Sequence, residues 1–191
     1  LQLIEDLLSK FEGKFNVEYP FKNHTKAELI SKYLDVNLIQ KTWSCYSARG
    51  IKEMCGSCWN CFITKMSALA AGFQQETLKF GTNPLTDSIP SSTYLDNQRV
   101  IYNLMTFYEK VINEKSDVID DLSRYESLFH DPVDLATRFG LDLFLGLSIS
   151  LSSLHRKNGL GRKGEELLSK IDKSLLKKRW EYLESLRGNY L

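Results

Sequence analysis

The sequence predicts a mainly α fold with one short β segment, in which a small cysteine-bearing region precedes a longer helical extension. Apolar residues recur at intervals of three and four over much of the chain. Apolar and polar residues alternate only around 15–19. All four cysteines fall within 45–61. The 191 residues, 42% of them hydrophobic, suffice for one large domain or two small ones.

The first region, 1–72, is expected to combine helices with a single strand. Thr25 and Glu28 are spaced as a capping box, in which each side chain bonds the other residue's amide at a helix start. Gly72 is placed to end a helix. The expected elements are a helix over 1–11, a strand over 15–19 ended by Pro20, a helix after Thr25, a helical turn over 36–39 and a helix over 62–71.

The second region, 73–191, is expected to be helical after an irregular stretch over 73–93 that contains two prolines. Asp131 followed by Pro132 is typical of a capped helix start. The expected helices are one around the stripe 101–112, one capped by Ser116 or Asp117 and ending near Leu128, one after Asp131, and a last one over 168–186 beyond a glycine break at 159–164.

Charge and hydropathy exclude several classes of partner. The chain has 25 basic and 24 acidic residues, so its formal net charge of +1 does not favour nucleic acid or a membrane surface. No stretch has the roughly 18 apolar residues of a membrane span, and 139–154 is interrupted by Asp142 and expected to be a buried helix. We expect a soluble, cytoplasmic protein. Because Leu1 is not a methionine and resembles mid-helix sequence, we also expect a piece of a longer chain.

The four cysteines follow the spacing Cys-x9-Cys-x2-Cys-x2-Cys, formed by Cys45, Cys55, Cys58 and Cys61. Disulfides are rare in a reducing compartment. Four thiolates can close a tetrahedron around a structural zinc ion. An iron–sulfur cluster also uses this kind of spacing, and unligated thiols are the third alternative. Zinc is favoured among the three.

The residues around the cysteines carry a specific resemblance. The segments are Pro20, His24-Thr25-Lys26-Ala27-Glu28-Leu29, Thr42-Trp43-Ser44-Cys45-Tyr46, Cys55-Gly56-Ser57-Cys58-Trp59-Asn60-Cys61 and Ala71-Gly72. In order and spacing they resemble the C-terminal half of the QueC family, the 7-cyano-7-deazaguanine synthases. The resemblance covers about 1–72, and the extension resembles nothing that we identify.

The resemblance implies a fold and a reaction. QueC proteins belong to the ATP-pyrophosphatase superfamily, which has a parallel α/β core. They activate the carboxylate of 7-carboxy-7-deazaguanine with ATP, and ammonia converts it to the amide and then the nitrile. The four matching cysteines bind zinc in the family. The resemblance thus implies structural zinc here, with ATP and a deazaguanine substrate in a full-length protein.

Two features depart from the family pattern. The family's glycine-rich ATP loop is absent, since the chain has no Gly-Gly pair, and that loop would precede residue 1. The family usually has an arginine and an aromatic residue where this chain has Thr64 and Ala68. Lys65 offers a charge nearby, but from another face of the helix.

Further candidates each have a plain structural explanation. Lys26 could lie near a nucleotide, whereas Glu28 is expected to be a cap and an exposed charge. Trp43 is expected to cover the metal site, and Arg49 and Lys52 to be solvated. The scattered His24, His130 and His155 are expected at the surface or at caps, and the basic stretches 155–163 and 177–179 at solvated helix ends. Nucleic acid is therefore not an expected partner.

Three functions remain open from the sequence. The first is a QueC-like ATP-dependent synthase whose ATP-binding part lies outside this chain. The second is a QueC-like protein of a bacterial antiviral system, acting on a protein partner. The third is a non-enzymatic zinc-binding interaction module. A protein partner or a homodimer is compatible with each.

Overall fold

The computed structural model describes residues 20–33, 45, 54–78, 80–87, 92–126 and 129–187. These parts are mainly helical. The α-helices are α1 (Lys26–Tyr33), α2 (Trp59–Ala70), α3 (Ser92–Ile112), α4 (Ser116–Ser123), α5 (Pro132–Ser152), α6 (Gly159–Leu168) and α7 (Lys173–Arg187). Within the same parts no strand forms, and extended pairing is limited to a parallel bridge between Met54 and Phe80. The helix, strand and turn expected at 1–11, 15–19 and 36–39 lie outside the described residues.

Helix α5 lies at the centre of the structure, against α2 along much of its length. The backbones approach so closely that a Cβ at Gly146 would overlap the Met66 carbonyl oxygen. Helices α3, α6 and α7 surround α5, and residues from both predicted regions share one hydrophobic core. The division of the chain into two regions at residue 72 therefore remains a prediction from the sequence.

Helix α5 is also long and apolar enough to cross a membrane by length and composition alone. Residues Gly140–Leu147 of this helix are buried within the protein, which is the environment expected for the apolar stretch 139–154. Its start agrees with the prediction, because Pro132 is the first helical residue and Asp131 accepts a 2.8 Å hydrogen bond from the Asp134 amide.

Three predicted elements were wrong in detail. The glycine-rich stretch 159–164 continues as helix α6, because Asn158 caps it by accepting a 2.9 Å bond from the Gly161 amide. Helix α4 ends at Ser123 rather than near residue 128, and neither proposed residue caps it; the Asp117 carboxylate instead accepts a 3.1 Å bond from Lys110. The last helix begins at Lys173, since the chain turns after Leu168.

Candidate metal centre

The loop before α2 and the first turn of that helix place Cys55, Cys58 and Cys61 by backbone geometry. Cys58 is the N-cap of α2, and its sulfur accepts a 3.5 Å hydrogen bond from the Cys61 amide. Gly56 has φ of 76°, a left-handed conformation that L side chains rarely adopt. A Cβ at Gly56 would also overlap the Thr82 carbonyl oxygen. The loop can therefore turn tightly against the neighbouring segment 80–82 only with glycine at this position.

The structure brings the sulfurs of Cys45, Cys55, Cys58 and Cys61 together, and all four lie within 4.8 Å of one another. The Cys55 and Cys61 sulfurs are 3.8 Å apart. Four ligands at the usual zinc–sulfur distance of about 2.3 Å form a tetrahedron with edges of about 3.8 Å. This set of donors, which we call the thiol cluster, could bind a metal ion.

Backbone and side-chain donors already point at the sulfurs. The Cys55 amide donates to Cys45 Sγ over 3.5 Å, and the Ser57 hydroxyl donates to Cys55 Sγ over 3.6 Å. Such bonds stabilise negative charge on sulfur. Hydrogen bonding with Cys58 and then burial raise the pKa of the Cys61 thiol above its usual range. Without a cation Cys61 therefore remains a thiol, and a metal ion would favour the thiolate.

A lysine from α1 reaches the helix that carries the thiol cluster. Lys26 Nζ donates a 2.6 Å hydrogen bond to Thr64 Oγ1, and the Thr64 hydroxyl donates a 2.8 Å bond to the Asn60 carbonyl. Burial lowers the pKa of Lys26. A longer side chain at position 64 would have to displace Lys26.

Ala68, the second position that differs from the family pattern, and the neighbouring Lys65 also face the interior. Ala68 is fully buried in the hydrophobic core. Lys65 is 6% exposed and its ammonium lies 5.9 Å from the centre of the Phe80 ring. Burial lowers the pKa of Lys65, and Asp87 partly opposes the shift. The two lysines thus have different contacts, because Lys26 bonds Thr64 and Lys65 lies against Phe80. The Lys65 ammonium therefore does not supply a charge at the position of Thr64.

The capping box at the start of α1 forms as predicted. The Thr25 amide donates a 2.9 Å bond to Glu28 Oε2, and the Glu28 amide donates a 3.2 Å bond to Thr25 Oγ1. The expectation of an exposed charge at Glu28 was wrong, because the residue is 2% exposed. Its carboxylate is buried against arginines that approach from the extension.

Those arginines form an ionic cluster with two acidic residues. Arg138 contacts both oxygens of Glu28 at 2.6 and 2.8 Å. Arg179 contacts Glu28 at 2.8 Å and both oxygens of Asp142 at 2.7 and 3.0 Å. Burial opposes ionisation of Glu28, but hydrogen bonds from Arg138, the Thr25 amide and Arg179 outweigh it and lower the pKa of Glu28. Burial raises the pKa of Asp142, and its bonds with Arg179 only partly offset the shift.

The structure describes only some of the remaining predicted candidates. Trp43, Arg49 and Lys52 lie outside the described residues. His130 and His155 are exposed, and so is His24, which lies beside the Phe21 ring. The expectation of a solvated helix end was wrong for Arg179, which is 5% exposed and lies within α7. Sequence reasoning also missed Arg138, whose only sequence feature is a charged residue within an apolar helical stripe.

Comparison with known proteins gives one finding for this region. No curated protein and no solved structure matches the chain. Residues 2–72 match the family model described as queuosine biosynthesis protein QueC, in agreement with the resemblance around the cysteines, and residues 73–191 are outside the match.

Proposed function

We propose that residues 2–72 form the zinc-binding C-terminal region of a QueC-like, ATP-dependent enzyme. Its reaction converts a carboxylate of the 7-carboxy-7-deazaguanine type to the amide and then to the nitrile, with ATP activating the carboxylate and ammonia supplying the nitrogen. The observation that carries the proposal is the family match over 2–72, which includes the four-cysteine cluster.

The zinc ion in this proposal is held by Cys45, Cys55, Cys58 and Cys61. Four thiolates leave no coordination position for water or substrate, so the metal shapes the protein and takes no part in the reaction. Its location at the first turn of α2 supports this role, because it would fix the start of the helix that carries Thr64 and Lys65. Residues that bind ATP are assigned to sequence outside this chain.

Metal content and turnover test the proposal separately. The purified chain is analysed for metals by mass spectrometry and for thiols by titration, and one zinc per chain with four protected thiols is expected. Iron with a visible charge-transfer band would instead assign an iron–sulfur cluster. The Cys58→Ser variant should lose zinc, whereas Ser57→Ala, which leaves all four sulfurs in place, should retain it.

The reaction is tested with the complete gene product. The protein is incubated with 7-carboxy-7-deazaguanine, ammonium and ATP, and chromatography follows release of pyrophosphate and formation of 7-cyano-7-deazaguanine. Nitrile formation that depends on ATP supports the proposal. Absence of both products, in a protein that carries zinc and binds ATP, would contradict the deazaguanine reaction.

A second candidate keeps the family chemistry but turns it towards a protein partner, as in QueC-like antiviral systems. The bond from Lys26 to Thr64 favours it, because this contact occupies the position where the family usually has an arginine. ATP-dependent mass addition to a co-expressed protein would support this candidate. Free nitrile as the sole product would count against it.

A further inference from the structure

A cleft lies where the last turns of α2 and α5 meet α7. Its volume is about 510 Å³, within the range of small-molecule sites. The aromatic side chains that line it are Phe73 and Trp180, and its polar lining consists of Gln74, Gln75, Glu76, Ser152 and Ser153. It is separate from the thiol cluster, because α2 carries the cysteines at its first turn and its 12 residues span about 18 Å.

Arg187, whose Nε and Nη2 atoms have no hydrogen-bond partner, lies beside this cleft. The guanidinium of Arg187 lies 5.4 Å from the centre of the Trp180 ring. It also occupies the space above Gly72, where φ is 83° and a Cβ would overlap the guanidinium nitrogens. Because Gly72 and Trp180 both line the cleft, the cation is next to it.

Two donor atoms of this arginine are buried and unpaired. Arg187 Nε and Nη2 have no hydrogen-bond partner. Burial lowers the pKa of Arg187, and attraction from Glu184 only partly opposes the shift. Buried donor atoms without acceptors are costly, so native proteins seldom retain them without a role. Nε and Nη2 form one edge of the guanidinium, the geometry that accepts a carboxylate or phosphate through two parallel bonds.

We propose that this cleft binds a planar heterocycle that carries a carboxylate or a phosphate. The ring packs against Trp180, the amides of Gln74 and Gln75 bond its edge, and a turn of the Arg187 side chain presents Nε and Nη2 to the charged group. Binding gives the two unpaired donors their acceptors. This inference does not depend on the proposed reaction of the QueC-like region.

The test uses the zinc-loaded chain and two pairs of probes that differ in charge. Nicotinate is compared with nicotinamide, and adenosine monophosphate with adenosine, by isothermal titration calorimetry. At least one charged probe should bind tenfold or more tightly than its neutral counterpart, since charge-assisted bonds are about twice as strong as neutral ones. The pair that discriminates identifies carboxylate or phosphate as the charged group. Equal binding within both pairs, or no binding of any probe, would overturn the inference.

Variants separate a binding role from a structural one. Arg187→Met should abolish the charge preference while the melting temperature without ligand stays equal or rises, because an unpaired cation has been removed. Arg187→Lys should retain only part of the preference, and the exposed Arg124→Met is the matched control. A melting temperature that falls strongly in Arg187→Met would assign Arg187 to the fold and overturn its binding role.

Discussion

Replacing Arg179 by methionine tests how firmly the extension holds the capped helix α1. The substitution removes two bonds to Asp142, one to Glu28 and one to the Thr25 hydroxyl, but retains most of the buried side-chain volume. Glu28 keeps its contacts with Arg138, whereas Asp142, 2% exposed, loses its cationic partner. Breaking a buried ion pair in this way costs about 3–5 kcal/mol. For a chain of this size the melting temperature should fall by about 6–20 °C.

Calorimetry and urea unfolding measure this loss, and two controls show where it arises. The double variant Arg179→Met with Asp142→Leu also removes the unpaired Asp142 carboxylate. It should recover more than half of the lost stability, because a buried pair costs less to remove than to break. Arg124→Met removes an exposed pair and should change stability by less than about 0.5 kcal/mol. A loss below about 1 kcal/mol in Arg179→Met would refute the reasoning.

Three further predictions concern the metal loop, a cap and the pH dependence. Gly56→Ala should cost about 2 kcal/mol or more and weaken zinc retention in a chelator competition, whereas Gly159→Ala, which meets nothing within 4 Å, should not. Asn158→Ala should cost about 1–3 kcal/mol in urea unfolding, because it removes an N-cap and two bonds to carbonyls. The lowered pKa of Glu28 makes its stabilisation complete above its unfolded pKa of about 4.3 and lost as the pH falls through its folded pKa. The raised pKa of Asp142 has the opposite sign, and its effect on stability lies above its unfolded pKa of about 3.9. Below about pH 4 the pH dependence therefore comes from Glu28, and the unfolding free energy of Glu28→Gln should depend less steeply on pH there than that of the wild type.

Sequence reasoning succeeded where local rules decide the outcome. The capping box at Thr25 and the Asp131–Pro132 start of α5 depend on residues a few positions apart, and the four cysteines lie within one segment, 45–61. It failed where distant residues decide. Glycines 159–164 predict a break, but the Asn158 side chain also bonds the Pro84 carbonyl and fixes the start of a helix there. The environment of Glu28 depends on arginines more than 100 positions away, which no local pattern can indicate.

The same long-range contacts join the two parts of the chain that the sequence separates. The family match ends at residue 72, yet the buried carboxylate of Glu28 is neutralised by Arg138 and Arg179, both from the unmatched extension. Helix α1 in turn supplies Lys26, which bonds Thr64 on the helix that begins at the thiol cluster. A change in the extension can therefore reach the metal-binding helix through two hydrogen-bonded steps. The extension therefore helps to position the QueC-like region. A substitution at Arg179 should be assayed for zinc content as well as for stability.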